Sequence, residues 1–187
     1  MKSKVTKEEV KYSGKFLDFK EIEYTNKNGK ESKWESVSRS NNVEAVSIIP
    51  ILIPSQKYVV IKQYRPTVDG YVLSFPAGLV DGEDSYGKSA LRELKEETGY
   101  SGKVIKVTPP TLSSDGMTDE AVAIAIVNID ENKEENKNPV QNLEESEDIE
   151  VILVRDKDFK LFIEEELKSG SMISGRFTSY LLGKDLI

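Results

Sequence analysis

The chain contains neither cysteine nor histidine in its 187 residues, and each absence closes off a block of chemistry. Without cysteine there is no disulfide, no thiolate nucleophile and no cysteine–zinc site. Without histidine there is no Ser-His-Asp triad, no Cys-His pair and no imidazole general base. An enzyme made from this chain must do its acid–base and metal work mainly with carboxylates, with Lys and Tyr as lesser candidates, and Mg²⁺ or Mn²⁺ are the cations that suit carboxylates. No apolar run approaches the length of a membrane span. The N-terminal MKSKVTKEEVKYSGK lacks the apolar stretch of a secretion signal. The expected location is therefore cytoplasmic, with no membrane partner. Basic residues are also in short supply: 26 Lys and Arg against 33 Asp and Glu leave a net charge of −7. That balance provides no basic surplus for a nucleic-acid backbone. The length suits one ordinary domain with a substantial core.

The most informative stretch is Gly78 to Tyr100, GLVDGEDSYGKSALRELKEETGY. Its second half is predicted to be a helix, with Asp84 or Ser85 as N-cap and Gly99 ending it. Ala90, Leu91 and Leu94 supply the apolar face. Glu93, Glu96 and Glu97 stand at i, i+3 and i+4, so their carboxylates share one side. Like charges so placed weaken a helix by a few tenths of a kcal/mol per pair, and a divalent cation would offset the repulsion. Taken alone, ExxEE on a helix is more often a solvated acidic face.

The fuller pattern outweighs that bland view. Gly78, Arg92, Glu93, Glu96, Glu97 and Gly99, at these spacings, resemble the Nudix box of the Nudix hydrolases. Six such identities coincide by chance on the order of once in 10⁷ placements. One position departs, since the family usually has Glu where Asp84 stands; Asp84 is shorter, or Glu83 takes its place. The resemblance implies Mg²⁺ (or Mn²⁺) held by Glu93, Glu96, Glu97 and the Ala77 carbonyl, with Arg92 steadying a box carboxylate. Pro76 and Gly78 in LSFPAG are expected to form a turn that lets that carbonyl face the cleft.

Elsewhere the pattern is mostly strand. FLDFKEIEYT (16–25), an Asn28-Gly29 turn and SKWESVSRS (32–40) read as a β-hairpin. VEAVSIIPILI (43–53), YVVIKQYRP (58–66), GKVIKVTPP (102–110), AVAIAIVNID (121–130) and IEVILV (149–154) read as further strands, the 121–130 strand buried on both faces. Residues 131–147 are charged and aperiodic, and the first ten are expected to be a disordered insertion. DFKLFIEEEL (158–167), with Asp158 as N-cap, and SGRFTSYLL (174–182) read as helices.

The string Trp34-Glu35-Ser36-Val37-x-Arg39 is similar to the N-terminal region of the ADP-ribose pyrophosphatases within the Nudix family. The resemblance implies that Trp34 stacks on adenine and that Phe16 comes from a second subunit. It also implies that Arg39 and Arg65 contact the phosphates or ribose, and that Gly116 and Met117 line the cleft. Trp34 as ordinary core and Arg65 as a plain surface charge are the alternatives. The general base is implied to be Glu147, with its neighbour Glu145 the close second. The whole predicts an α/β protein with the α/β/α Nudix architecture and mixed sheet. Residues 1–42 would form a β extension for dimerisation and adenine contact, and 43–187 the Nudix domain. The expected activity is hydrolysis of ADP-ribose to AMP and ribose 5-phosphate, or of another nucleotide sugar, by a homodimer with exchanged hairpins. A module that binds ADP-ribose without cleaving it is the alternative from another class.

Overall fold

In strand β4 (Ala45–Ile53), successive side chains point to opposite faces, and both faces are apolar. Val46, Ile48 and Leu52 enter one core cluster, while Ile49 and Ile51 face another. Strand β10 (Ala121–Asp130) runs parallel beside it, with Ala123 opposite Val46 and Ile129 opposite Leu52. It repeats the division: Ala123, Ala125, Val127 and Ile129 on the first face, Ile124 and Ile126 on the second. Strands apolar on both faces must be covered on both. Helix α1 (Tyr86–Thr98) covers the first face with Ala90 and Leu94. Helices α3 (Phe159–Lys168) and α4 (Gly175–Gly183) cover the second with Phe159, Ile163, Phe177 and Leu181.

The rest of the mixed sheet consists of β5 (Lys57–Arg65), β6 (Gly70–Ser74), β7 (Ala77–Leu79), β8 (Lys103–Val107), β9 (Thr111–Leu112), β11 (Ile149–Arg155) and β12 (Met172–Ile173). Its order is β12-β6-β5-β4-β10-β8, with β11 paired to β5, β7 to β4 and β9 to β10. This is the α/β/α layering that the sequence implied. The computed structural model describes residues 2–40 and 43–187, so the division expected between 42 and 43 falls partly on residues outside the described ones.

The N-terminal sheet is larger than the expected hairpin. It has three strands, β1 (Lys4–Ser13), β2 (Leu17–Thr25) and β3 (Glu31–Arg39), in sequential order. The extra strand, KVTKEEVKYS, is too charged to show apolar alternation. Its backbone pairs antiparallel with β2, from Lys4 opposite Thr25 to Ser13 opposite Asp18, with surface ion pairs alongside, Lys20 Nζ to Glu8 at 2.9 Å and Lys11 Nζ to Glu21 at 3.3 Å. The turn is as expected: Gly29 takes φ +79° and the Asn26 side chain accepts from the Asn28 and Lys30 amides.

Three expectations need correction. Residues 131–140 are ordered, with a short helix α2 (Glu134–Lys137). Asn136 is buried within it and bonds the Ser101 amide and the Ser101 and Asp130 carbonyls. A single well-satisfied polar side chain anchors a segment whose composition alone suggested disorder. The turn expected at Ala77 is strand β7, whose Ala77 and Gly78 lie opposite Ser47 and Val46 of β4. Asp158 makes no side-chain cap, because a 3₁₀ turn over Asp156–Asp158 leads directly into α3.

Candidate active site

Helix α1 delivers the box. The Ser85 hydroxyl, not Asp84, accepts from the Lys88 amide at its start. Gly99 ends it at φ +77° with its amide on the Lys95 carbonyl. Asp84, the departing position, makes a 2.6 Å pair with Lys88. Between these ends the helix packs on β7 so tightly that a Cβ at Gly78 would stand 1.9 Å from the Glu93 Cδ. Glycine here is a requirement of approach. Glu97 is 2% exposed and accepts the Ala77 amide at 3.0 Å. Arg92 joins the set from the side, with Nη1 on Glu96 at 2.8 Å and Nη2 on Glu93 at 2.9 Å. Asp81 at 3.1 Å and the Leu79 carbonyl at 2.9 Å hold the same guanidinium. Asp81 is a partner that sequence reasoning missed, although it lies inside the box segment.

Burial pushes the Glu97 carboxyl up to about 8; the Ala77 amide opposes this, and the charges of Glu93 and Glu147 add to it. Burial also raises Glu93, against the pull of Arg92. Buried, mutually repelling carboxylate oxygens against a backbone strand are a hard-donor set, which suits Mg²⁺ or Mn²⁺ rather than a soft metal. No three acidic side chains among the described residues are already gathered as a cation site. Arg92 takes Glu93 and Glu96, while Glu97 turns to the Ala77 amide.

The second half of the site comes from β5 and β11, which pair antiparallel with Ile149 opposite Gln63. The ladder continues with the Tyr64 amide donating to the Asp148 carbonyl at 3.1 Å, and Glu147 follows in the turn just before it. Val59 and Val151 lie on the α1 face, so alternation brings Ile61, Gln63 and Arg65 of β5 and Ile149 of β11 to that same face, with Glu147 in the turn just before Asp148. The electrostatics agree: Arg65 lowers Glu97, and Glu147 raises both Glu93 and Glu97. Glu145 is exposed. The charge of Glu147 thus reaches the box carboxylates, while Glu145 lies two residues further back in the same turn. Gln63 is a further residue that sequence reasoning passed over. It is 6% exposed, and its buried Oε1 has no partner among the described residues. Its place two residues before Arg65 was the available signal.

The N-terminal candidates meet the loop between β9 and β10. Trp34 is 50% exposed, which rules out a core role, and its indole donates to the Gly116 carbonyl at 3.0 Å. The Met117 carbonyl accepts the Val37 amide at 2.9 Å and the Ser36 hydroxyl at 3.2 Å, while the Met117 side chain stays exposed. Arg39 pairs with Glu120 at 2.7 Å and Ser38 bonds Asp119 at 2.7 Å, two acidic partners not foreseen. Phe16 is exposed, and its chain neighbour Leu17 pairs with Arg39, whereas Trp34 pairs with Ile22. Six residues of strand, about 20 Å, separate Phe16 from Ile22. One chain therefore does not bring the two aromatics together. A cavity of about 680 Å³ lies on the opposite sheet face, lined by Ile49, Phe75, Ile124 and Arg176.

A family model described as NUDIX domain matches residues 41–168. An ADP-ribose pyrophosphatase of Saccharomyces cerevisiae is 38% identical over 148 residues, covering 75% of this chain and 64% of that protein. An ADP-sugar pyrophosphatase of Mus musculus is 33% identical over 161 residues, covering 82% of this chain and 74% of that protein. The crystal structure of an ADP compounds hydrolase matches the fold with a TM-score of 0.69 at 21% identity, covering 88% of this chain and 84% of that one.

Proposed function

This chain belongs to the NUDIX family and is a Nudix hydrolase, and from that premise we propose that it hydrolyses the diphosphate of ADP-ribose or a similar nucleoside diphosphate sugar. The observation that carries the proposal is the convergence of Glu147 and Arg65 on the face where Glu93 and Glu97 meet β7. Arg65 offers a planar guanidinium fork for phosphate oxygens. Glu147 takes the proton of the attacking water as its oxygen bonds to phosphorus and the bridging P–O bond breaks, leaving AMP and ribose 5-phosphate. Arg92 keeps Glu93 and Glu96 in place. Glu93, Glu96, Glu97 and the Ala77 carbonyl would hold a divalent cation, Mg²⁺ or Mn²⁺, whose bound charge neutralises the diphosphate oxygens. Trp34 and Arg39, with Gly116 and Met117, would receive the nucleoside end, and Phe16 of a second copy would close over the base. Residues 1–42 then serve as the dimerising extension and 43–187 as the hydrolase. Among the described residues no helix is long and apolar enough to cross a membrane, and a cytoplasmic site of action forms part of the proposal. The test is product release from a panel of nucleoside diphosphate derivatives with Mg²⁺. Fastest release of AMP from ADP-ribose is the expected result. Faster turnover of another sugar would reassign the substrate, and no turnover of any diphosphate would overturn the proposal.

A further inference from the structure

We infer that Tyr71 is a positioning residue for Glu147, acting through Asp148; the inference rests on Glu147 being the base. The β5–β11 ladder ends just where Glu147 begins its work. Beyond the bond from the Tyr64 amide to the Asp148 carbonyl, the segment back to Asn142 is held by its own turn. In that turn the Glu147 amide donates to the Glu144 carbonyl at 3.0 Å, and the Glu147 carboxylate accepts the Glu144 amide at 2.9 Å. Strand ends fray, and a peptide that rotates at Asp148 carries Glu147 with it.

The Asp148 side chain lies on the side of β5 and β6 that carries Tyr64 and Tyr71, and an anchor waits there. The Tyr71 hydroxyl donates to Asp148 Oδ2 at 2.5 Å. That hydrogen bond lifts the Tyr71 phenol above its ordinary pKa, and a phenol with that ordinary value is already a donor at neutral pH. Tyr71 is itself braced. It lies opposite Tyr64 in the β5–β6 register, with the rings edge-to-face at 5.7 Å. The Tyr64 hydroxyl ties to Asp69 at 2.7 Å, and Lys62 Nζ stands 5.8 Å from the Tyr71 ring centroid. The hairpin that ends in Arg65 therefore also fixes the residue next to Glu147, so phosphate contact and base share one rigid support.

The test is a double-mutant cycle on the full-length protein, with kcat and KM for ADP-ribose measured for wild type, Tyr71→Phe, Glu147→Gln and the double variant. Tyr71→Phe keeps the ring and loses the donor. It should lower kcat at least about tenfold, since a 1 Å misplacement can cost about 10²-fold, with KM and Tm near wild type. In the Glu147→Gln background it should change nothing further. Asp148→Asn keeps an acceptor oxygen and should retain most of the rate, whereas Asp148→Ala should match Tyr71→Phe. A Tyr71→Phe enzyme at full rate, or one with the same loss in both backgrounds, overturns the positioning role and leaves the base assignment standing. A Glu147→Gln single variant at full rate overturns the base itself, and the positioning role with it.

Discussion

A carboxylate drawn under the surface destabilises the fold unless a cation or a proton sits against it, and Glu97 embodies that conflict. Its folded pKa of about 8 stands above the ordinary 4.5. A raised carboxyl leaves stability intact at pH below 4.5 and erodes it as pH climbs toward about 8. Glu97→Gln should therefore abolish Mg²⁺-dependent turnover while raising the Tm of chelator-treated protein near neutral pH by about 2–4 °C for each kcal/mol relieved. The gain should vanish at acid pH, and thermal melts at both pH values check it. A variant that kept wild-type rate at limiting Mg²⁺ would show the metal site to be misplaced. Glu147 carries a different expectation. Glu147→Gln should depress kcat by about 10²–10⁴-fold with KM for ADP-ribose nearly unchanged, and Glu145→Gln should do much less. The two variants assayed side by side decide it; the reverse ranking moves the base to Glu145.

At the scale of elements, the C-terminus of α1 depends on a distant segment. The last carbonyls of a helix lack intrahelical partners. Here the Asn142 amide takes the Glu96 carbonyl at 2.8 Å, and Gln141 Nε2 takes the Glu97 carbonyl at 2.6 Å. Gln141 also reaches the Ile149 carbonyl at 3.1 Å, tying the box helix to β11. Gln141→Ala should cost about 1–3 kcal/mol, seen as a lower Tm and faster hydrogen exchange in the last turn of α1. Helix α3 is tied to β5 by Glu166, which bonds Lys62 at 2.9 Å and the Ser171 hydroxyl at 2.6 Å. Partial burial raises Glu166, but Ser171 and Lys62 outweigh it and hold the carboxyl below its usual 4.5. A depressed carboxyl contributes stability that is complete above 4.5 and lost as pH falls through the folded value. Glu166→Gln should thus cost about 1–2 kcal/mol at neutral pH, with the gap from wild type closing in acid denaturation.

For the whole molecule, the N-terminal sheet leaves Val5, Val10, Tyr12, Phe16, Leu17 and Trp34 exposed. Phe16 and Trp34 are too far apart within one chain to clasp one base. The proposed adenine site therefore requires a second copy, and an isologous homodimer exchanging this sheet is the expected assembly. Light scattering should give twice the chain mass at micromolar concentration. A fully active monomer would end the proposal of a shared site.

Local physics was legible in the sequence. The continuous apolar runs at 45–53 and 121–130, the Asn28-Gly29 turn, and the glycine and glutamate spacing of the box each depend on neighbours a few residues away. Together they specified the strands, the box helix and its acidic face. Only the tertiary structure decided what depends on residues far apart in the chain. The β5–β11 pairing brought the segment just before Ile149 to the box, so that Glu147 stands nearer to it while Glu145 lies further back in an exposed turn. The buried Asn136 ordered a segment that its charge had marked as disordered. The added strand β1 is held by an antiparallel ladder to β2 that no apolar pattern announces. Asp148, one residue beyond the proposed base, met Tyr71 only because two strand pairings placed both on the same side of the sheet.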